Sequence, residues 1–361
     1  MKRLRSVYWK NSFQKRMLKH SHKTPFFTKP TQSETETVMS REVNITTGSR
    51  LHWGLLSLAP QVGREFGGIG LMVQEPQLKL AVTESAGNSD SVQGSPGSIT
   101  KIRESLAAIR NTCPDLYRDR FYDLKLHSEI PQHCGFGSGT QLSLAVAQAL
   151  ASLSEETSLT SVELAQRVQR GARSALGIHG FTTGGFLVEG GKQTADEISP
   201  LVVRADFPED WHILLVTPTN RAGISGYIEA DAIQQLGPMP TATTEKLCRL
   251  ALMQLAPAVQ SHDFEEFTTG LTEFGHVVGE FFRPAQGGIF ADPQMVELEQ
   301  KLINRGVRGI AQTSWGPTLS IICQDAAMIT SLVTECGYGK YCELRTVRPL
   351  NEGAQIQING D

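Results

Sequence analysis

The sequence predicts an α+β protein of two domains. Segments with strand patterning open the first half, and long helical segments dominate after Asp206. The two kinds of segment do not alternate with the regular rhythm of a doubly wound parallel sheet. A chain of 361 residues can form two cores of ordinary size. We expect domains at 40–206 and 207–361, preceded by a distinct segment at 1–39.

The segment 1–39 has no sustained periodicity, and its residues 1–29 contain nine Lys or Arg and no Asp or Glu. Three interpretations are open: a disordered, solvated tail, an Arg-rich targeting peptide, or a start assigned too early, with Met39 as the true beginning. We favour the first or the third, because folded patterning begins only after Met39. When these nine charges are taken from the total of −3, the rest of the chain carries −12. Such an acidic body argues against nucleic-acid binding.

Composition predicts a globular protein outside the membrane. Apolar residues make up 40% of the chain and no run of 18 is apolar. The six cysteines contain no C-x-x-C pair and no signal-peptide core precedes them, so we expect reduced thiols and a cytoplasmic location.

Periodicity places the elements along the chain. Alternation predicts strands in REVNITT, with Val43 and Ile45 inward, and then in LKLAVTE and FYDLKLHSEI. We expect helices at 99–110, after the glycines at 135–139, and at 160–175, where Thr160 and Glu163 have the spacing of a capping box. After Asp206 the predicted elements are the strand WHILLVT, the helices FEEFTTGLTEFGHVVGEFF and PQMVELEQKLINRG, and a closing β-α-β unit of TLSIIC, 328–336 and YCELRTV.

The segment IPQHCGFGSGTQLSLAVAQAL carries the clearest chemical signal. A strand leads into Gly135, Gly137 and Gly139, and an apolar-periodic helix follows. Glycines allow close approach of the backbone to an anion, and the N–H groups at a helix start attract it. Ser138 and Thr140 add hydroxyl donors. The segment is not a P-loop, because it has no Lys; the alternative is a plain turn before a buried helix.

These residues resemble a known family. Pro131, Gly135, Phe136 and the segment 137–139 match P-x-x-x-G-[LF]-G-S-[SG], which resembles the phosphate-binding motif of the GHMP kinases. GSRLHWGLL near the start of the fold and AQTSWGPTLSIIC near its end are similar to two further family segments. The resemblance implies the GHMP fold, with an N-terminal S5-like domain and a C-terminal ferredoxin-like domain.

Two departures from the kinases are visible. SALGIHGFTTGG carries His179 where we expect many of the kinases to have an aspartate, and SWGPT replaces a glycine-rich closing motif. Both departures, together with NRAGISGYIE and FFRPAQGG, resemble the β-ribofuranosylaminobenzene 5′-phosphate synthases. That resemblance implies condensation of phosphoribosyl pyrophosphate with 4-aminobenzoate or 4-hydroxybenzoate, releasing CO2 and pyrophosphate, in methanopterin-type cofactor synthesis. It also implies Mg²⁺ and a homodimer.

Three arginines are candidates for binding the charged substrates: Arg50, Arg221 and Arg283, each within a family-like segment. Arginine forks match phosphate and carboxylate, and surface salt bridges are the alternative for each. His52 and His179 are candidate catalytic residues that contact pyrophosphate or protonate a leaving oxygen. A lone histidine is more often structural.

Two further residues carry weaker hypotheses. Trp315 offers a flat ring on which the aromatic acid could stack, with core packing as the alternative. Glu229 is a weak candidate for Mg²⁺ ligation, and it could instead pair with Arg221.

Two other functions remain open from the sequence. An ATP-dependent GHMP small-molecule kinase would use the same loop for ATP phosphates. The second is that of a non-catalytic, ligand-binding homologue on the same scaffold. Release of CO2 and pyrophosphate indicates the synthase, ATP consumption indicates the kinase, and neither is expected of the non-catalytic homologue.

Overall fold

The computed structural model describes residues 41–156, 158–219 and 235–360, whose strands form two sheets. The segment 1–39, Arg221 and Glu229 lie outside the described residues.

The first sheet is built on a long antiparallel hairpin. Its strands β1 (Glu42–Ser57) and β2 (Phe66–Glu84) contain the predicted strands REVNITT and LKLAVTE. Val43 and Ile45 are buried, as the alternation predicts. The other members among the described residues are β3 (Ser91–Gln93), β4 (Tyr122–Ser128), β5 (Phe186–Glu189), β6 (Leu201–Ala205) and β11 (Gln355–Asn359). The order is β11-β1-β2-β4-β3, with β5 joining β2 and β6 joining β5.

The second sheet contains β7 (His212–Pro218), β8 (Ile310–Gln312), β9 (Leu319–Cys323) and β10 (Cys342–Val347). Its order is β10-β7-β9-β8, and each neighbouring pair is antiparallel. Helix α10 (Ala326–Glu335) connects β9 to β10. The predicted closing β-α-β unit is therefore confirmed, with β7 inserted between its two strands.

The remaining helices are α1 (Pro96–Thr112), α2 (Pro114–Tyr117), α3 (Ser138–Leu153), α4 (Ser161–Arg167), α5 (Leu176–Thr183), α6 (Thr241–Leu250), α7 (Ala256–Ser261), α8 (Phe264–Gln286) and α9 (Pro293–Ile303). A π-helical segment, Ala251–Leu255, joins α6 to α7. Small residues in α3, such as Ala145, Ala147 and Ala149, let this helix lie close against β1 and β2.

One predicted helix is too long. The capping box of Thr160 and Glu163 is confirmed, since each side chain bonds the other residue's backbone N–H. The helix, however, ends at Arg167 and not at residue 175. Gln169 has φ 53° and Gly171 has φ 100°, and this left-handed backbone breaks the helix. Residues 168–175 therefore form a connection whose side chains are available to a site.

The chain changes sheets between β6 and β7, across residues 206–211. The last strand, β11, returns to the first sheet and pairs with β1. Because the described residues form one compact unit, a division into two domains between residues 206 and 207 stays a prediction.

An aromatic cluster joins β1 and β5 to α8. Phe267 of α8 contacts Trp53, Phe186, Phe207 and Trp211, with ring centroids 5.2–6.1 Å apart. Three of these pairs are edge to face and the pair with Trp211 is tilted; edge-to-face pairs add about 0.5–1.5 kcal/mol each beyond burial. The cluster fixes α8 relative to the first sheet, and α8 forms one wall of the site described below.

No helix among the described residues is long and apolar enough to span a membrane.

Candidate active site

Hydrogen bonds bring together the three segments that the sequence singled out. The backbone N–H of Arg50 donates to the carbonyl of Phe136 at 3.0 Å. The hydroxyl of Thr313 donates to the carbonyl of Gly135 at 2.8 Å and accepts from the N–H of His52 at 3.1 Å. Segments more than 260 residues apart in the chain thus form one site.

The glycine loop meets α3 as the sequence predicts. Gly137, with φ 70°, is the N-cap of α3, which begins at Ser138. The first N–H groups of a helix have no partner within it, so Ser138 and Gly139 present donors at the positive end of the dipole. Gly135 has φ 88°, and a Cβ there would lie 2.2 Å from the carbonyl oxygen of Thr313. The loop's shape therefore requires this glycine.

Two guanidinium groups occupy the space that side chains on the loop would fill. A Cβ on Gly137 would lie 3.3 Å from Nε of Arg50, and a Cβ on Gly139 would lie 2.6 Å from Nη2 of Arg170. Glycine at both positions lets the arginines rest against the loop backbone. Positive charge thereby surrounds the N-terminus of α3.

The loop lines a cavity of about 510 Å³, within the usual range for small-molecule sites. Its wall carries the cationic side chains Arg50, Lys101, Arg170 and Arg173. Among the described residues that line it, Glu129 is the one carboxylate, and it accepts hydrogen bonds from the N–H and hydroxyl of Ser95 and the hydroxyl of Ser98. Although the chain as a whole is acidic, the cationic part of the cavity wall is suited to a ligand with several negative charges.

Arg170 is one of these cations, and its side chain is partly buried. Burial lowers the pKa of its guanidinium from the ordinary value. Its Nε is buried and has no hydrogen-bond partner among the described residues. A buried donor without a partner is costly, and an anion bound at the loop would supply one.

His52 lines the same cavity as a neutral imidazole. Burial, followed by the positive charges of Arg50 and Arg173, lowers the pKa of His52 well below its ordinary value. Its Nδ1 accepts a hydrogen bond from the N–H of Gly54 at 3.1 Å. The ring proton therefore lies on Nε2, and His52 is suited to hydrogen bonding more than to carrying charge.

A second part of the wall is apolar. Phe282 of α8 packs edge to face on Trp315, with ring centroids 4.9 Å apart at 79°. Trp53, Ile289 and Phe290 also line this part. Trp315 is buried, so it serves as wall and packing residue together.

The structure places most of the predicted site residues on the cavity: Arg50, His52, Gly135, Gly137, Ser138, Gly139, Thr140 and Trp315. It does not bring Arg283 or His179 to the lining.

Arg283 lies on the exposed face of α8, where its guanidinium pairs with Glu280 one turn earlier. The cavity face of α8 is formed by Gly275, Val278 and Phe282 at helical spacing. Arg283 follows Phe282 directly and so points about 100° away from it around the helix.

His179 lies behind the cavity wall, buried in α5. Its Nε2 donates to the carbonyl of Ser199 at 2.8 Å, since a carbonyl only accepts. Glu189 is also buried and accepts from the Ser174 hydroxyl and the Ala175 N–H, each at 2.6 Å. Burial raises the pKa of Glu189. These bonds hold the start of α5, and with it the connection that carries Arg170 and Arg173.

The sequence did not single out Arg170, Arg173 or Lys101. A signal existed in QRGARS, where two arginines flank a glycine shortly before the family-like segment GIHGFTTGG. The expected helix through residue 175 concealed it, because a helix would have turned these side chains to different faces.

Among the described residues, no group of three His, Cys, Asp or Glu side chains could hold a metal ion. A magnesium ion in this cavity would take most ligands from substrate phosphates and water, as Mg²⁺ commonly does. Glu129, Ser138 and Thr140, which line the cavity, carry side-chain oxygens of the kind that can bind such an ion.

Known proteins resemble this chain in sequence and in fold. The sequence pattern described as GHMP kinases N terminal domain matches residues 101–185. A β-ribofuranosylphenol 5′-phosphate synthase of Methanothermobacter thermautotrophicus is 31% identical over 295 residues, covering 77% of this chain and 88% of the relative. One from Archaeoglobus fulgidus is 30% identical over 337 residues, covering 88% of this chain and 100% of the relative.

Solved structures share the fold at low identity. Mevalonate-3-kinase from Thermoplasma acidophilum matches with a TM-score of 0.62 at 12% identity, covering 88% of this chain and 99% of that one. Homoserine kinase from Cytophaga hutchinsonii matches with a TM-score of 0.60 at 12% identity, covering 92% and 100%. These likenesses concern the fold alone, and they confirm the predicted α+β class.

Proposed function

This chain belongs to the β-ribofuranosylphenol 5′-phosphate synthase family of the GHMP superfamily, and we propose that its glycine-loop cavity binds phosphoribosyl pyrophosphate beside a para-substituted benzoate. The enzyme is a pentosyltransferase of tetrahydromethanopterin biosynthesis. It joins the two substrates and releases CO2 and pyrophosphate. Since the relatives are named for a phenol product, 4-hydroxybenzoate is our choice of acid for this chain.

The observation that carries the site assignment is the packing of Arg50 and Arg170 against Gly137 and Gly139 at the start of α3. Pyrophosphate offers several oxygens to neighbouring donors, and guanidinium forks bind such oxygens in pairs. Arg173 and Lys101 extend the positive wall to a second phosphate group. We assign the pyrophosphate to the loop and the 5′-phosphate to this extension.

The reaction begins as the bond between ribose C1 and the pyrophosphate oxygen breaks, and pyrophosphate leaves with the electron pair. The loop N–H groups, Arg50 and Arg170 stabilise the growing negative charge. The ring carbon that bears the carboxylate forms the new bond to C1. The bond to CO2 then breaks, and its electron pair restores the aromatic ring.

These steps balance without a protein nucleophile or base. The enzyme's contribution is therefore to hold both substrates in line, which can supply about 7–11 kcal/mol of barrier reduction. The apolar wall of Phe282 and Trp315 is the surface on which we place the aromatic ring. His52, neutral and adjacent to the arginines, donates Nε2–H to a substrate oxygen.

We propose Mg²⁺ as the cofactor. Bound to pyrophosphate, it would neutralise charge on the leaving group. Glu129, Ser138 and Thr140 would be its protein ligands, and oxygens of the substrate together with water would supply the other ligands. Glu229 is an alternative ligand for this ion. Arg221, in the same stretch, remains a candidate for substrate binding.

Two further proposals rest on the family resemblance and on the cysteine usage, respectively. We propose a homodimer and a cytoplasmic location for this chain. Sedimentation velocity at several concentrations tests the first, and a single monomeric species at every concentration would refute it.

The deciding experiment incubates the purified chain with Mg²⁺, phosphoribosyl pyrophosphate and 4-hydroxybenzoate or 4-aminobenzoate, and follows CO2 and pyrophosphate. We expect stoichiometric release of both. An Arg170→Ala variant is the matched negative control, with Arg283→Ala as an active one. Consumption of ATP with hydroxy acids or sugars, and no CO2 from the benzoates, would support a kinase. Binding without turnover of either kind would support a non-catalytic homologue.

A further inference from the structure

We propose that Gln286 and Gln312 read the para substituent of the aromatic acid through their side-chain oxygens, and so select acids with a hydroxyl or amino group there. Both side chains line the apolar part of the cavity. The inference rests on the function proposed above.

Backbone contacts fix the orientation of the Gln286 amide. Its Nε2 donates to the carbonyl oxygens of Gly288 at 3.1 Å and Ile289 at 2.7 Å. Carbonyls only accept, so the nitrogen must face them. Both amide hydrogens are used, and Oε1 is the atom left to face another group.

Gln312 is fixed in the same way. Its Oε1 accepts from the N–H of Ala291 at 2.7 Å, which a nitrogen at that position could not do. Its Nε2 donates to the carbonyl of Ser314 at 3.0 Å and to Oε1 of Gln286 at 3.2 Å. Each side-chain oxygen thus accepts one bond from the described residues, and an amide oxygen can accept two.

The two glutamines therefore present acceptors and no spare donor. A carboxylate placed against them would bring oxygen lone pairs together, whereas a hydroxyl or amino group can donate. The acid must then bind with its para substituent at Gln286 and Gln312 and its carboxylate directed to the arginines. This orientation also sends the carboxylate-bearing carbon, which must bond to ribose C1, toward the phosphate-binding part of the cavity.

The same contact gains strength during the reaction. When the ring carbon bonds to C1 and pyrophosphate leaves with its electron pair, positive charge spreads to the para oxygen or nitrogen. Its hydrogen then becomes a stronger donor to the glutamine oxygens. An interaction that strengthens in the transition state raises kcat as well as affinity.

Equilibrium binding tests the proposal without turnover. Calorimetry on the full chain with magnesium pyrophosphate compares 4-hydroxybenzoate with 4-methylbenzoate, which has similar size and no donor. One neutral hydrogen bond predicts that the wild type prefers the hydroxy acid about tenfold. Equal affinities in the wild type would overturn the proposal.

Variants identify the residues responsible. In Gln286→Met and Gln312→Met we expect a smaller preference for the hydroxy acid, and in the double variant we expect the two acids to bind equally, with unchanged affinity for pyrophosphate. Gln254→Met is the matched control, since that side chain donates to the Glu266 carbonyl on an exposed surface. Full preference retained in the double variant would overturn the proposal while leaving the proposed function intact.

Turnover gives a second measurement. We expect kcat with 4-hydroxybenzoate to fall in both variants, beyond the change in KM. A wild type that binds neither pyrophosphate nor either acid would refute the proposed function and this inference together.

Discussion

Replacing Gly139 with alanine separates the anion-binding role of the glycine loop from its structural role. Gly139 lies in the first turn of α3, and a Cβ there would lie 2.6 Å from Nη2 of Arg170. That atom is the end of a flexible side chain, so the arginine can move aside while the backbone stays in place. The substitution should therefore displace Arg170 from the anion site without unfolding the protein.

The substitution is expected to change protein stability and pyrophosphate binding in opposite directions. Alanine stabilises a helix over glycine by about 0.5–1 kcal/mol, so the melting temperature should hold or rise. Loss of hydrogen bonds from a charged group costs about 1.5–3 kcal/mol, which corresponds to about 10- to 150-fold weaker pyrophosphate binding.

Gly135→Ala is the informative comparison. Gly135 has φ 88°, and its Cβ would lie 2.2 Å from the backbone oxygen of Thr313, which cannot move aside. This variant should lose stability as well as binding. Thermal melts and calorimetric titration with magnesium pyrophosphate measure both properties. A stable Gly139→Ala protein that binds pyrophosphate as tightly as the wild type would refute the assignment of Arg170 to the anion.

Other perturbations follow from the same geometry. Arg170→Lys should raise the KM for phosphoribosyl pyrophosphate about tenfold, because lysine lacks the guanidinium fork, whereas steady-state kinetics should show no change for Arg283→Ala. His179→Ala should lower both melting temperature and turnover; unchanged turnover would limit this histidine to stability. His276 donates a hydrogen bond from Nε2 to the Glu299 carboxylate, and this bond raises the pKa of His276. The stabilisation is therefore complete below about pH 6.5 and is lost as the pH rises through the raised value. Melting curves should show this loss in the wild type and not in His276→Gln; identical profiles would contradict it.

Local signals made part of the fold predictable. Thr160 and Glu163 cap a helix through contacts three residues apart, and Val43 and Ile45 alternate because one side of β1 is covered there. The helix length after Thr160 was wrong because the left-handed backbone at Gln169 depends on its surroundings. β11 could not be placed from sequence, since its pairing with β1 joins the two ends of the described chain.

The candidate site shows the same difference between local signals and contacts that join distant segments. The glycine loop is local, and a strand, three glycines and a helix start sufficed to predict it. Arg170 reaches the loop from a different connection, and no pattern within the loop indicates it. His179 shows the converse limit: a family-like segment gives a residue's place in the chain, but its side chain turns to Ser199 behind the wall.

The cavity explains how a fold shared with kinases can serve a different reaction, since fold alone does not decide chemistry. Transfer of a phosphoryl group to an alcohol uses a residue that orients or deprotonates the hydroxyl. Loss of pyrophosphate from ribose C1 needs stabilised negative charge at one end and an electron-rich ring held at the other. In the proposed reaction, Arg50 and Arg170 at the loop would meet the first need. The acceptor oxygens of Gln286 and Gln312 meet the second by supporting positive charge on the ring's para substituent. We therefore propose that charge separation across one cavity, from the arginines to the glutamines, favours carbon–carbon bond formation here.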